Sequence, residues 1–112
     1  MVVRYGDEGI CSIVSTGHSG FAQRGDDVVC AAVSALMQAL WVGLTGVLEL
    51  PGVREIRDAE APEMGFEWDA ASPEAQAIAR TIARSLEAIA DSYPDNVKYL
   101  EIRETRENRQ EE

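Results

Sequence analysis

One histidine and two cysteines decide what nucleophilic chemistry this sequence can do. His18 lies in a glycine-containing segment, and Cys30 follows twelve residues later at the expected start of a helix. A cysteine attacks only as its thiolate, an anion that a helix N-terminus favours, and the free N–H groups there can hold an oxyanion. An imidazole within reach takes the thiol proton and later returns it to a leaving amine. A closing loop is all that His18 and Cys30 need to meet. Spacing alone leaves the plainer alternative open, because a cysteine in an alanine-rich helix packs as a small hydrophobe and a lone loop histidine is often incidental. Cys11, on an expected hairpin strand with no helix terminus or basic neighbour, reads as a structural residue.

Other chemistries fit less well. One histidine and two separated cysteines do not have the spacing of a zinc site, so neither a metal nor any other cofactor is expected. The Gly17–Gly25 segment has three glycines but no following Gly-Lys-Ser/Thr, and Asp26 and Asp27 would repel a phosphate. A thiol redox role lacks a Cys-x-x-Cys pair.

The elements that must carry these residues can be read from periodicity. Met1–Tyr5, a turn at Gly6-Asp7-Glu8-Gly9 and Ile10–Thr16 form an expected β-hairpin. The segment 17–25 reads as a mobile loop. Asp26 or Asp27 is an expected N-cap of a long helix running to about Leu48, which puts Cys30 in its first turn, with Pro51-Gly52 as the stop. Val53–Arg57 and Met64–Trp68 are expected strands, with Met64, Phe66 and Trp68 on one face of the second. Ser72-Pro73-Glu74 opens a second helix whose buried stripe is Ala75, Ile78, Ile82, Leu86 and Ile89. Val97–Ile102 reads as a last strand, and residues 104–112 as a charged, disordered tail. The fold class is therefore α+β, in the order β-β-α-β-β-α-β: a mostly antiparallel sheet with two helices packed on it, in one domain over residues 1–103.

With 112 residues, 46% hydrophobic and 27% charged, the chain has enough apolar side chains for one core. A formal charge of −10 disfavours nucleic-acid binding, whereas the run Asp58, Glu60, Glu63, Glu67, Asp69 and Glu74 suits either a basic partner or plain solvation. The stretch Val28–Leu48 has 21 residues without a formal charge, long enough to span a bilayer. It contains Gln38 and Ser34, its flanks are Asp26, Asp27 and Glu49, and no basic anchor borders it, so no membrane association is expected. The expectation is instead a helix buried on nearly all sides. Ala31, Ala35, Ala39 and Gly43 would form a small-residue ridge for an intrachain or a dimer contact. The cysteine count and an N-terminus without a leader pattern point to reduced thiols and a cytoplasmic protein.

Gly17-His18, the glycine-containing loop and the run Gly25-Asp26-Asp27-Val28-Val29-Cys30-Ala31-Ala32-Val33-Ser34-Ala35-Leu36 resemble the signature of the bacterial ribosomal-processing cysteine proteases, the Prp family. The likeness extends over residues 1–103. It implies an endopeptidase that removes a short N-terminal extension from the precursor of ribosomal large-subunit protein twenty-seven. By position, Cys30 would be the nucleophile and His18 the general base and acid. Asp27 would orient the histidine or bind substrate, with helix capping as its structural alternative. Gly17 would permit the turn beside the substrate, and Ser34 would touch substrate or bond back to the helix backbone. The resemblance also implies a homodimer. The rival of another class is a noncatalytic acidic module that holds a basic ribosomal protein during assembly, which the charge fits equally well.

Overall fold

In the computed structural model, residues 1–16, 24–58, 63–69 and 72–104 are described, those at 24–27 and 58 by their backbone alone. The strands are β1 (Val2–Gly6), β2 (Gly9–Thr16), β3 (Arg54–Asp58), β4 (Glu63–Glu67) and β5 (Leu100–Arg103). The helices are α1 (Arg24–Trp41), continued by a π-helical segment Val42–Val47, and α2 (Pro73–Ser92). The element order and the α+β class match the sequence reading.

The strands form one sheet in the order β3-β4-β2-β1-β5. Three pairings are antiparallel and β1–β5 is parallel. Connectivity explains this. β2 ends at Thr16, α1 carries the chain back along the sheet, and β3 then starts at the opposite end. The second helix makes the return journey, so β5 begins beside Val2 and runs with β1.

Register assigns the faces. Val3, Ile13, Phe66 and Glu55 are linked by successive cross-strand pairings and so share one face. That is the helix-covered face, where Val3, Ile10, Ile13 and Phe66 meet Val33, Met37 and Leu40 of α1, and Ala75, Ala79, Ile82, Ala83 and Leu86 of α2. Ser72 caps α2 as expected, its Oγ accepting from Ala75 N–H at 3.1 Å, with Pro73 at the first helical position. The expected stripe also holds: Ala75, Ile82 and Leu86 are buried, and Ile78 and Ile89 partly so.

Side-chain bonds place α2 over β2, β1 and β5. The Gln76 carboxamide accepts from Ile10 N–H at 2.8 Å and donates to Ile10 C=O at 2.7 Å, completing the backbone bonds of a strand residue from a helix. Arg84 Nη2 donates to Glu101 Oε2 at 3.0 Å. The same carboxylate oxygen accepts from the Tyr99 hydroxyl at 2.8 Å and the Tyr5 hydroxyl at 3.2 Å. These bonds, the Tyr99 hydroxyl first, hold the Glu101 carboxyl below the ordinary glutamate range, while burial and then Glu101 push the Tyr99 phenol up.

Three expectations require correction. The long uncharged helix is not buried on nearly all sides: Val28, Val42 and Val47 are 67%, 55% and 70% exposed, and Ala31, Ala35 and Ala39 are exposed with them. Only one face of α1 meets the sheet and α2. Of the small-residue ridge, Gly43 alone has an intrachain use, since a Cβ there would lie 3.0 Å from Ile78 on α2. The last strand is four residues long and starts at Leu100, not Val97. Glu104, read as part of the tail, donates its N–H to Tyr5 C=O at 2.8 Å and pairs with Arg4 at 3.3 Å; residues 105–112 lie outside the described residues.

Candidate active site

Helix α1 begins at Arg24, so Cys30 stands in its second turn and not its first. Asp26 and Asp27 are helical residues, and an N-cap must lie outside the helix, so neither caps it. This alters the chemistry available to Cys30. The N–H groups left free by a helix are its first four, all of which precede Cys30, whereas the N–H of Cys30 points back into the helix. The dipole also fades within the first turn. A thiolate at Cys30 therefore has less support from the backbone than one in the first turn would have.

Around the axis of α1, Val29, Val33, Met37 and Leu40 are buried and define the core direction. At about 100° per residue, Cys30 lies at the border of that face, and it is half-buried. Ser34 follows one turn later on the same side and is exposed. The polar side chains Thr45, Thr81 and Ser85 donate to the carbonyl four residues back. Among the described residues Ser34 makes no such bond, so its hydroxyl is not spent on its own backbone.

Gly17, His18 and the side chain of Asp27 lie outside the described residues. In the sequence, His18 is the second residue after the end of β2 and six before the first described residue of α1. Cys11 is half-buried on β2, and its Sγ donates to Arg4 C=O at 3.6 Å. Among the described residues no group of three His, Cys, Asp or Glu is placed to hold a metal ion.

One aromatic contact on this side of α1 was not expected. Trp41, read as part of a buried helix, is a third exposed and lies with its ring centroid 5.1 Å from that of Phe66 on β4. It shares the side of α1 that carries Cys30 and Ser34. The signal was eleven-residue spacing from Cys30, three helical turns, which the uncharged run concealed.

A family model described as "Cysteine protease Prp" matches residues 1–98. The ribosomal processing cysteine protease Prp of Bacillus subtilis is 33% identical over 99 residues, covering 82% of this chain and 86% of that protein. Among solved structures, the ribosomal processing protease Prp from Staphylococcus aureus in complex with a substrate peptide superposes with a TM-score of 0.69 at 25% identity, covering 89% of this chain and 95% of the other. The same protein with a covalently linked product peptide gives 0.66 at 26% identity, with the same coverage.

Proposed function

The chain belongs to the Prp family of ribosomal processing cysteine proteases, and from that premise we propose that Cys30 and His18 cut the precursor of ribosomal large-subunit protein twenty-seven behind its N-terminal extension. The observation that carries the reading is the placement of Cys30: half-buried at the border of the core face of α1, on a helix whose start is joined to β2 by the segment that contains His18. Support for covalent chemistry comes from the S. aureus relative, which is known with a covalently linked product peptide. A noncatalytic holding module does not need such a pair, and the family is one of proteases.

The steps balance as follows. The Cys30 thiol gives its proton to the His18 imidazole, and Sγ bonds to the scissile carbonyl carbon. Collapse of the tetrahedral intermediate breaks the C–N bond, and His18 returns the proton to the departing amine. The extension is then held as a thioester on Cys30. Water, deprotonated by His18, attacks that carbonyl; the C–S bond breaks, the extension leaves as a carboxylic acid and the thiol is restored. Because the first-turn N–H groups are a turn away from Cys30, His18 supplies most of the help to the thiolate. Asp27 orients His18 or meets the substrate, Gly17 lets the chain turn beside the peptide, and Ser34 offers its free hydroxyl to the peptide.

The protein acts as a cytoplasmic homodimer. The face of α1 formed by Val28, Ala31, Ala35, Ala39 and Val42 has no charged residue, is exposed, and has the small side chains that let a second helix approach closely. The test of function is intact-mass analysis of the precursor after incubation with the wild type and with Cys30→Ser. Loss of one defined N-terminal segment with the wild type alone is expected; cutting by Cys30→Ser at an undiminished rate would overturn the assignment.

A further inference from the structure

The two helices do not cover the sheet evenly. Helix α2 is bonded to β2, β1 and β5, and α1 meets β4 through the Trp41–Phe66 contact. Among the described residues the edge strand β3 pairs with β4 alone. Register puts Glu55 beside Phe66 and Arg57 beside Met64, so both charged side chains stand on the helix-covered face. They are exposed there, at 39% and 69%, and paired with each other, Arg57 Nε donating to Glu55 Oε1 at 2.6 Å.

A trough follows from this placement: Trp41 of α1 stands against Phe66, the Glu55–Arg57 pair borders Phe66 and Met64 from β3, and Met64 and Phe66 lie between them. It continues from Cys30, because Cys30, Ser34 and Trp41 fall on one side of α1 within an arc of about 40°. Along the axis, Trp41 lies about 16 Å from Cys30 at 1.5 Å per residue. An extended peptide rises about 3.3 Å per residue, so Trp41 stands roughly five substrate residues from the scissile bond. Arg57 is two strand positions nearer, roughly three residues from it.

We propose that this trough holds the substrate chain on one side of the scissile bond, and that Arg57 and Glu55 select its side chains there by charge. The inference rests on the assignment of Cys30 as nucleophile, since that residue marks the upper end of the trough. The pair binds Glu55 through Nε and Nη2 of Arg57. Among the described residues Nη1 makes no bond, which leaves it to donate to a substrate carbonyl or carboxylate. Reversing Arg57 to glutamate leaves two like charges on that wall and inverts the preference. Neither residue is in the core, so the fold tolerates the change.

The experiment is peptide cleavage by the full chain, with a series in which each position within six residues of the cut is changed to Lys or to Glu. For Arg57→Glu, kcat/KM is expected to shift by roughly fivefold in favour of Lys over Glu, through KM, at positions about three residues from the cut. Arg80→Glu, on the exposed face of α2, should shift none. Equal Lys/Glu ratios for the wild type and Arg57→Glu at every position would overturn the trough while leaving Cys30 untouched. Cleavage by Cys30→Ser would instead remove the premise, so the two failures are distinct.

Discussion

Cys30 owes its position to a boundary: it is far enough around α1 from Val33 and Met37 to stay half-buried, and close enough to be held rigidly by the helix. Its reactivity then depends on groups outside the helix. His18→Ala should lower kcat by about 100- to 10,000-fold at neutral pH, the range for loss of a general base, with the melting temperature unchanged. Stopped assays alongside thermal melts check this, and a variant that cuts at the wild-type rate would remove His18 from the mechanism. Ser34→Ala is expected to raise KM, because its hydroxyl has no backbone partner among the described residues, while stability stays within about 0.5 kcal/mol. The residues proposed to do the chemistry stand out in the sequence because their types are scarce: one histidine and a cysteine near an expected helix start leave few assignments. The proposed role of Arg57 and Glu55 was not legible, since a charged pair on a strand reads as solvated surface until its register beside Phe66 and Met64 is known.

Among the elements, α2 was the most legible. Ser72-Pro73-Glu74 and a three-and-four apolar spacing encode both its start and its buried face, and cap and stripe are both present. Ser72→Ala should cost about 1 kcal/mol, read as a melting temperature lowered by about 5 °C. In α1 the signal misled. A run without charge states what a helix lacks, not how many of its faces are covered, so an apolar stretch with one packed side was read as one packed all round. The π-helical segment was equally hidden; its i−5 bond, Leu48 N–H to Gly43 C=O at 3.0 Å, starts where Gly43 packs closely against Ile78. Strand β5 has no buried residue and depends on Glu101. The folded carboxyl is held below its ordinary value of 4.5, so its contribution is complete above that pH and fades as pH falls through the lowered value. Glu101→Gln should therefore lose stability at neutral pH and show less acid sensitivity than the wild type; parallel denaturation curves between pH 7 and 3 test the sign.

At the scale of the whole molecule, the sheet and its two helices leave three surfaces with different characters. One is the trough over β3, the second is the uncharged outer face of α1, and the third is the sheet face opposite the helices. The dimer assignment belongs to the second. Ala35→Glu buries a charge in any interface formed there and should convert the protein to monomer in light scattering, with the fold intact by circular dichroism. An unchanged dimer would place the contact elsewhere. The strand order was beyond the sequence because pairing is non-local: the alternation in Val53–Arg57 and Met64–Trp68 identifies strands, but only connectivity through the helices puts β2 between β4 and β1. The central claim, that this fold presents Cys30 as a protease nucleophile, is tested most directly by rapid quenching of wild-type enzyme with the precursor, followed by peptide mapping. The account predicts a transient adduct on the Cys30 peptide equal in mass to the released extension less one water. Cleavage without that adduct on Cys30, or with the extension attached at Cys11, would contradict it.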